Sequence, residues 1–333
     1  MGNTFGTLLR LTTFGESHGP AMGGILDGMP PLVHIDLGEV RRHLDRRRPG
    51  SRPDISQRRE SDEPEILSGL TPDGITLGSP IGFVVRNRDA RSKDYDGYSG
   101  KFRPNHADYT YHTKYGIHDF RGGGRASARE TVSWTVAGSI VRQWLSQRYG
   151  IEIEAEFIAT NDVAATARQG DSTGGIVRCR VTGIPAGIGE PVFDKLHSRL
   201  AAAMMGINAA KGFEYGDGFR SASMKGSESV DIFCPVAGCE GNTEKATPTC
   251  RSNHSGGIQG GISNGMPVEF AVYFKPTPTI MRPLETIDTD GNSVILEPAG
   301  RHDPCVAIRA VPIVESMAAL VIGDLIRQSC TGL

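Results

Sequence analysis

Three short loops carry the residue types that proton transfer beside an anion requires. His18 stands in Gly15-Glu16-Ser17-His18-Gly19, His106 in Arg103-Pro104-Asn105-His106-Ala107-Asp108, and Asp303 in Arg301-His302-Asp303-Pro304. Imidazole titrates closest to neutrality, so either histidine can give or take a proton in a reacting complex. A hydrogen-bonded structural imidazole is the ordinary alternative, and Asp303 beside an arginine is as readily an ion pair as a proton acceptor. Residues 41–59 hold eight arginines (41, 42, 46, 47, 48, 52, 58 and 59) against Asp45 and Asp54, a local excess of six positive charges. Guanidinium is planar, permanently charged and forked, which suits a phosphate or carboxylate ligand. Ion pairing with Glu60, Asp62 and Glu63 is the competing use. Nucleic acid is disfavoured, because the segment has no Phe, Tyr or Trp on which bases could stack.

A second anion-binding pattern is Gly122-Gly123-Gly124-Arg125-Ala126-Ser127-Ala128-Arg129, which leads into a helical period. Glycines allow close backbone approach, amides at a helix start favour negative charge, Ser127 can cap, and two arginines add counter-charge. It is neither a Walker loop nor a dinucleotide fingerprint, since Gly-Lys-Ser/Thr and a directly preceding strand are both missing. Ser17-His18 does not make a hydrolase elbow either: Gly-x-Ser-x-Gly is absent, and adjacent Ser and His cannot take triad geometry.

The elements that must hold these loops follow from periodicity. Strands are expected at 7–13 and 23–26, and a helix at 36–47 with Asp36 and Glu39 as a capping box. Antiparallel hairpins should occupy 65–86. A helix over 126–148 is marked by Val132, Val136, Ile140 and Trp144 at every fourth position. Alternation gives strands at 151–157, 177–181 and 268–274, the last stopped by Lys275-Pro276-Thr277-Pro278. Helices are expected at 191–205 and 312–328, the latter apolar on most sides and therefore central. The fold class is α+β, helices flanked by antiparallel sheets. No linker or internal repeat divides residues 1–333, so a single domain, or two interleaved halves, is expected.

Composition bounds the rest. Glycine (43) and proline (20) make up nearly a fifth of the 333 residues, which favours many short elements and functional loops. A net charge of −2 supplies no whole-molecule field toward nucleic acid or membrane, so anion binding must be local. The greasiest stretch, 317–326, is interrupted by Gly323 and Asp324, and nothing marks the chain for export. Six scattered cysteines without a Cys-x-x-Cys pair suggest reduced thiols in a cytoplasm, with no zinc.

Three ordered segments carry a closer likeness. Residues 15–20 through Asp27-Gly28-Met29-Pro30, residues 124–131, and Arg301-His302-Asp303-Pro304-Cys305 through Glu315-Ser316-Met317 resemble the three signatures of chorismate synthase. Asp45-Arg46-Arg47-Arg48-Pro49-Gly50, residues 102–111 and 275–278 extend the likeness over almost the whole chain. The resemblance implies the last step of the shikimate pathway, on the way to aromatic amino acids. There, 5-enolpyruvylshikimate 3-phosphate loses phosphate and a ring hydrogen by 1,4-anti elimination to give chorismate. Reduced FMN is required without net oxidation. NADPH is one candidate reductant for it and an external reductase the other. By position His18 resembles the histidine that protonates the departing phosphate, His106 the one against the flavin, and Asp303 the carboxylate that relays the abstracted proton. The implied flavin contacts are Arg125, Ala126, Ser127, Asn208, Ala209, Gly260, Lys275, Pro276, Thr277, Pro278, Thr279 and Arg301. Ser17, Arg47, Arg48, Arg52 and Arg129 fall to the substrate, with Arg52 one residue displaced from the usual family position. The family also implies a cytoplasmic homotetramer in which two four-stranded antiparallel sheets sandwich a helical core.

Overall fold

The computed structural model describes residues 2–48, 62–87, 97–120, 122–234, 249–297 and 303–329. Arg52, Arg58, Arg59, Arg301 and His302 therefore lie outside the described residues. The first sheet comprises β1 (Thr4–Phe5), β2 (Arg10–Gly15), β3 (Ala21–Asp27), β4 (Pro64–Ile66) and β5 (Ile81–Arg86), in the order β1-β2-β3-β5-β4. All its neighbours are antiparallel. The four strands the family likeness implies are joined at one edge by β1, whose two residues are too short to leave an alternating pattern. The second sheet, β6 (Glu152–Ala159), β7 (Gly175–Thr182), β8 (Ala210–Tyr215) and a strand at Val268–Phe274, is antiparallel with four strands.

Helices α1 (Leu37–Arg47), α2 (Asp108–Tyr115), α3 (Thr131–Tyr149), α4 (Val163–Arg168), α5 (Leu196–Met205), α6 (Gly226–Ser229) and α7 (Ala307–Gln328) complete the frame. In the layer between the sheets, α3 lies against the first, α7 lies against β6 and β7, and the two helices run along each other. Their backbones meet at Gly138, where a β-carbon would stand 2.3 Å from that of Ser316. Val132, Val136 and Ile140 are fully buried, as their spacing requires, and one apolar core runs from Leu9 to Ile326. Among the described residues no helix is long and apolar enough to cross a membrane.

Four starts differ by three or more residues from their expected positions for identifiable reasons. α5 begins at Leu196 rather than 191, because residues 190–194 close on themselves, Glu190 N donating to Asp194 O at 3.0 Å. β2 begins at Arg10 rather than residue 7, because the amides of Thr7, Leu8 and Leu9 donate to the buried Asp324 carboxylate at 2.8–2.9 Å instead of to a ladder. α3 begins at Thr131, after two three-residue 3-10 turns separated by Ser127 in an extended conformation (φ −71°, ψ 143°). The cradle expected at residues 122–129 is thus a bent strap and not the mouth of a long helix. α7 begins five residues before the expected 312, with Pro312 inside it, since burial along nearly its whole length outweighs one withheld amide. Asp36 caps α1, accepting from Gly38 N at 2.7 Å, but the expected box with Glu39 is not closed, because Asp36 N donates to Gln143 Oε1 at 2.7 Å.

Candidate active site

A cavity of about 430 Å³ opens where four segments distant in the chain converge: 103–108, 122–128, 208–209 with 275–279, and 303–309. Of the candidate residues, His106, Ala126, Ser127, Asn208, Ala209, Lys275, Thr277, Pro278, Thr279 and Asp303 all line it. Asn208 ties two walls together, its Nδ2 donating to Ala126 O at 3.0 Å. Ala209 holds a positive φ of 68°, a strained state for alanine, and its carbonyl accepts from Lys275 N at 3.0 Å. Lys275 Nζ donates to Asn105 O at 2.8 Å, fastening the second wall to the His106 loop.

His106 has a defined protonation state. Its Nδ1 lies 3.1 Å from Pro104 O, which can only accept, so the proton is on Nδ1. Its Nε2 then accepts from Thr279 Oγ1 at 3.1 Å. Burial, followed by the positive charge of Arg103, holds its pKa down at about 4, so the ring is neutral at pH 7. Arg103 is itself clamped bidentately by Asp108 at 2.7 and 2.8 Å. Burial works to raise the Asp108 pKa, but the Arg103 fork outweighs it and the net displacement is downward.

His18 approaches from behind the glycine strap. Gly122 has φ 147°, and a β-carbon there would fall 2.1 Å from His18 Cε1, so only glycine admits the ring. Ser17 Oγ donates to Gly122 O at 3.3 Å, which leaves it to accept from His18 Nδ1 at 3.1 Å. Asp303 pairs closely with Arg309, whose Nε also donates to Arg47 O at 2.9 Å. Arg309 lines the cavity and was missed in the sequence; Asp303 precedes α7, so its six-residue spacing from Arg309 carries no helical signal and only the fold brings the pair together.

The arginine cluster divides. Arg47, 3% exposed, and Arg129 share the buried Asp62 carboxylate at 3.2 and 2.6 Å. Arg46 turns to Glu315, Arg48 to Asp45, Arg41 to Glu63 and Arg42 to Asp36. For this part of the segment the internal ion pair is the realised use, and Arg129 rather than α1 brings guanidinium toward the His18 turn. Arg125 faces away from the cavity, donating to Glu130 at 2.8 Å and Thr13 Oγ1 at 2.8 Å. Gly260 sits in the turn of a separate hairpin, Ile258–Gln259 with Ile262–Ser263, and neither it nor Pro276 lines the cavity.

A helix layer between two antiparallel sheets, with imidazole, carboxylate and guanidinium groups converging at one cleft, defines an enzyme built to move protons beside an anionic small molecule. Comparison with known proteins narrows this. The chorismate synthase family model matches residues 9–165 and 158–326. The chain is 48% identical to the chorismate synthase of Christiangramia forsetii, with 98% of each chain covered, and 46% identical to that of Synechocystis sp., with 97% of each covered. A crystal structure of a chorismate synthase superposes with a TM-score of 0.76 at 27% identity, covering 98% of this chain and 94% of that one. The chain belongs to the chorismate synthase family, and it is a lyase.

Proposed function

We propose that the cavity beside His106 is where phosphate and a ring hydrogen leave 5-enolpyruvylshikimate 3-phosphate by 1,4-anti elimination, with reduced FMN bound against the glycine strap. The observation that carries this reading is the convergence of His106, Asp303, Ser127 and Lys275 on one cleft from four parts of the chain. The walls fit a flat anionic cofactor. Gly122 presents no side chain, Ala126, Ala128 and Ala209 present only methyl groups, and Lys275 supplies a cation. Thr277 Oγ1 is buried without a hydrogen-bond partner among the described residues, as a group awaiting a ligand would be. When bound, reduced FMN supplies electron density that helps expel phosphate without net redox change.

The chain's own residues then have separate tasks. Ser127, Asn208, Ala209, Lys275, Thr277, Pro278 and Thr279 shape the flavin side, while Arg125 acts through the strap it braces against Glu130 and Thr13, and Gly260 lies apart from the cavity. Neutral His106 keeps its proton on Nδ1 and offers Nε2 as an acceptor, so it receives a proton before it can donate one. Asp303, oriented by Arg309, takes the ring proton; His18 gives a proton to the leaving phosphate oxygen. Arg129 and Ser17 meet the substrate anions, with Arg47, too buried to touch solvent, supporting Arg129 through Asp62. Arg48, Arg52 and Arg301 complete the proposed anion contacts.

The test is anaerobic. Dithionite-reduced FMN and the enolpyruvyl phosphate are mixed with the enzyme and chorismate absorbance is followed; oxidised FMN should give none. Phosphate release without flavin would overturn the reading. Repeating the assay with NADPH in place of dithionite decides whether flavin reduction is intrinsic. The homotetramer and the cytoplasmic location belong to the same proposal, and light scattering of the purified protein checks the former.

A further inference from the structure

Asn87 follows immediately after β5, a strand paired on both sides by β3 and β4 and therefore held rigidly. Its backbone N–H donates to Pro20 O at 3.1 Å. Its side-chain Nδ2 faces three carbonyl oxygens of the same turn, Glu16 at 3.1 Å, Ser17 at 3.3 Å and Gly19 at 2.9 Å. Its Oδ1 accepts from Arg129 Nε at 3.1 Å. Guanidinium can only donate and carbonyls can only accept, so the amide has one orientation: reversed, it would set its oxygen against three oxygens and its NH2 against Arg129. Arg129 is fixed in turn by Asp62, whose side chain is 2% exposed and whose other oxygen accepts from Arg47.

A continuous strut thus runs from α1 through Arg47, Asp62, Arg129 and Asn87 to the turn at 16–20. That turn has one internal backbone bond, Gly19 N to Glu16 O at 2.9 Å, whereas Asn87 gives it three protons, one from its backbone N–H to Pro20 O and two from Nδ2 shared among three carbonyls. A proton donor must be held within a fraction of an ångström of its target to be effective. We infer that Asn87 is a positioning residue for His18, hanging the His18 turn from the end of β5 in the register at which the ring packs against Gly122. This rests on the reading of His18 as the acid.

The experiment is a double-mutant cycle on the full enzyme with reduced FMN and the enolpyruvyl phosphate, without oxygen. Asn87→Ala should lower kcat by roughly tenfold to a hundredfold with KM changed less than about threefold, the signature of a misplaced group and not of lost binding. In a His18→Ala background the same substitution should change kcat by less than about twofold, because the group it places is gone. Equal losses in both backgrounds, or no loss in either, overturn the inference while leaving His18 its role. A His18→Ala enzyme with wild-type turnover overturns the reading beneath it as well. Should Asn87→Ala not fold, judged by circular dichroism and reduced-FMN binding, Asn87→Asp keeps the volume and the acceptor toward Arg129 but sets an oxygen against the three carbonyls. The same dependence on His18 is expected from it, and independence of His18, or failure of both variants to fold, overturns the inference.

Discussion

Of the two histidines, only His106 lines the cleft; His18 packs against Gly122 behind the strap, and the two rings have different neighbours. His106 is buried beside Arg103 and held neutral, with its Nδ1 proton bound to Pro104 O. His18 lies on a turn whose Ser17 hydroxyl takes up its Nδ1. His18→Ala and His106→Ala should each leave the fold intact and lower turnover by on the order of a hundredfold or more, the usual weight of a positioned acid or base. Wild-type rates from either variant in the anaerobic assay would remove it from the mechanism. His106, Ser127 and Asp303 could be named from the sequence because each stands in a run of chemically unusual residues. Asp62 could be named as an ion-pair partner of the arginine run, but Asn87 and Arg309 could not, because their meaning comes from partners that only the fold supplies, such as an arginine 42 positions away from Asn87.

Among the elements, α3 and α7 set the spacing of the whole helix layer through one small-residue contact. Alanine normally stabilises a helix interior over glycine by about 1 kcal/mol. At Gly138 an added methyl would sit 2.4 Å from Ser316 Cα and 2.6 Å from its carbonyl oxygen, both backbone atoms that cannot swing aside. Overpacking should win, and Gly138→Ala should destabilise by about 2–3 kcal/mol in urea denaturation. A more stable variant would mean the helices separate freely. The interiors of α3, α7 and the strand Val268–Phe274 were legible because burial imposes a period on them. The starts of α3, α7 and β2 were not: Ser127 leaves the helical region for reasons invisible in residue type, and the amides before β2 are claimed by a carboxylate more than 300 residues away.

At the scale of the molecule, acid should act on the folded state through buried imidazoles. His43 lies between Arg142 and Ser139, and burial, then Arg142, lowers its pKa to about 3. With His106 at about 4, both rings refuse protons that an unfolded chain accepts below about 6.5. Each histidine therefore removes stability as pH falls from about 6.5 toward its folded value, with a slope approaching 1.4 kcal/mol per pH unit. His43→Gln should flatten the decline measured by denaturation between about pH 6.5 and 4.5, and an unchanged slope would exclude it as a source. The helix-between-sheets architecture was readable from alternating strands and an all-round apolar final helix, whereas the core's charged ties, Glu315 to Arg46 and Arg142 or Asp324 to Arg199, were not. Asp324 also sets an order of events during synthesis. The loop that feeds β2 has its amides answered from α7, so a nascent chain emerging from the ribosome can pair β2 with β3 early but cannot latch that hairpin's root until almost everything else has been made.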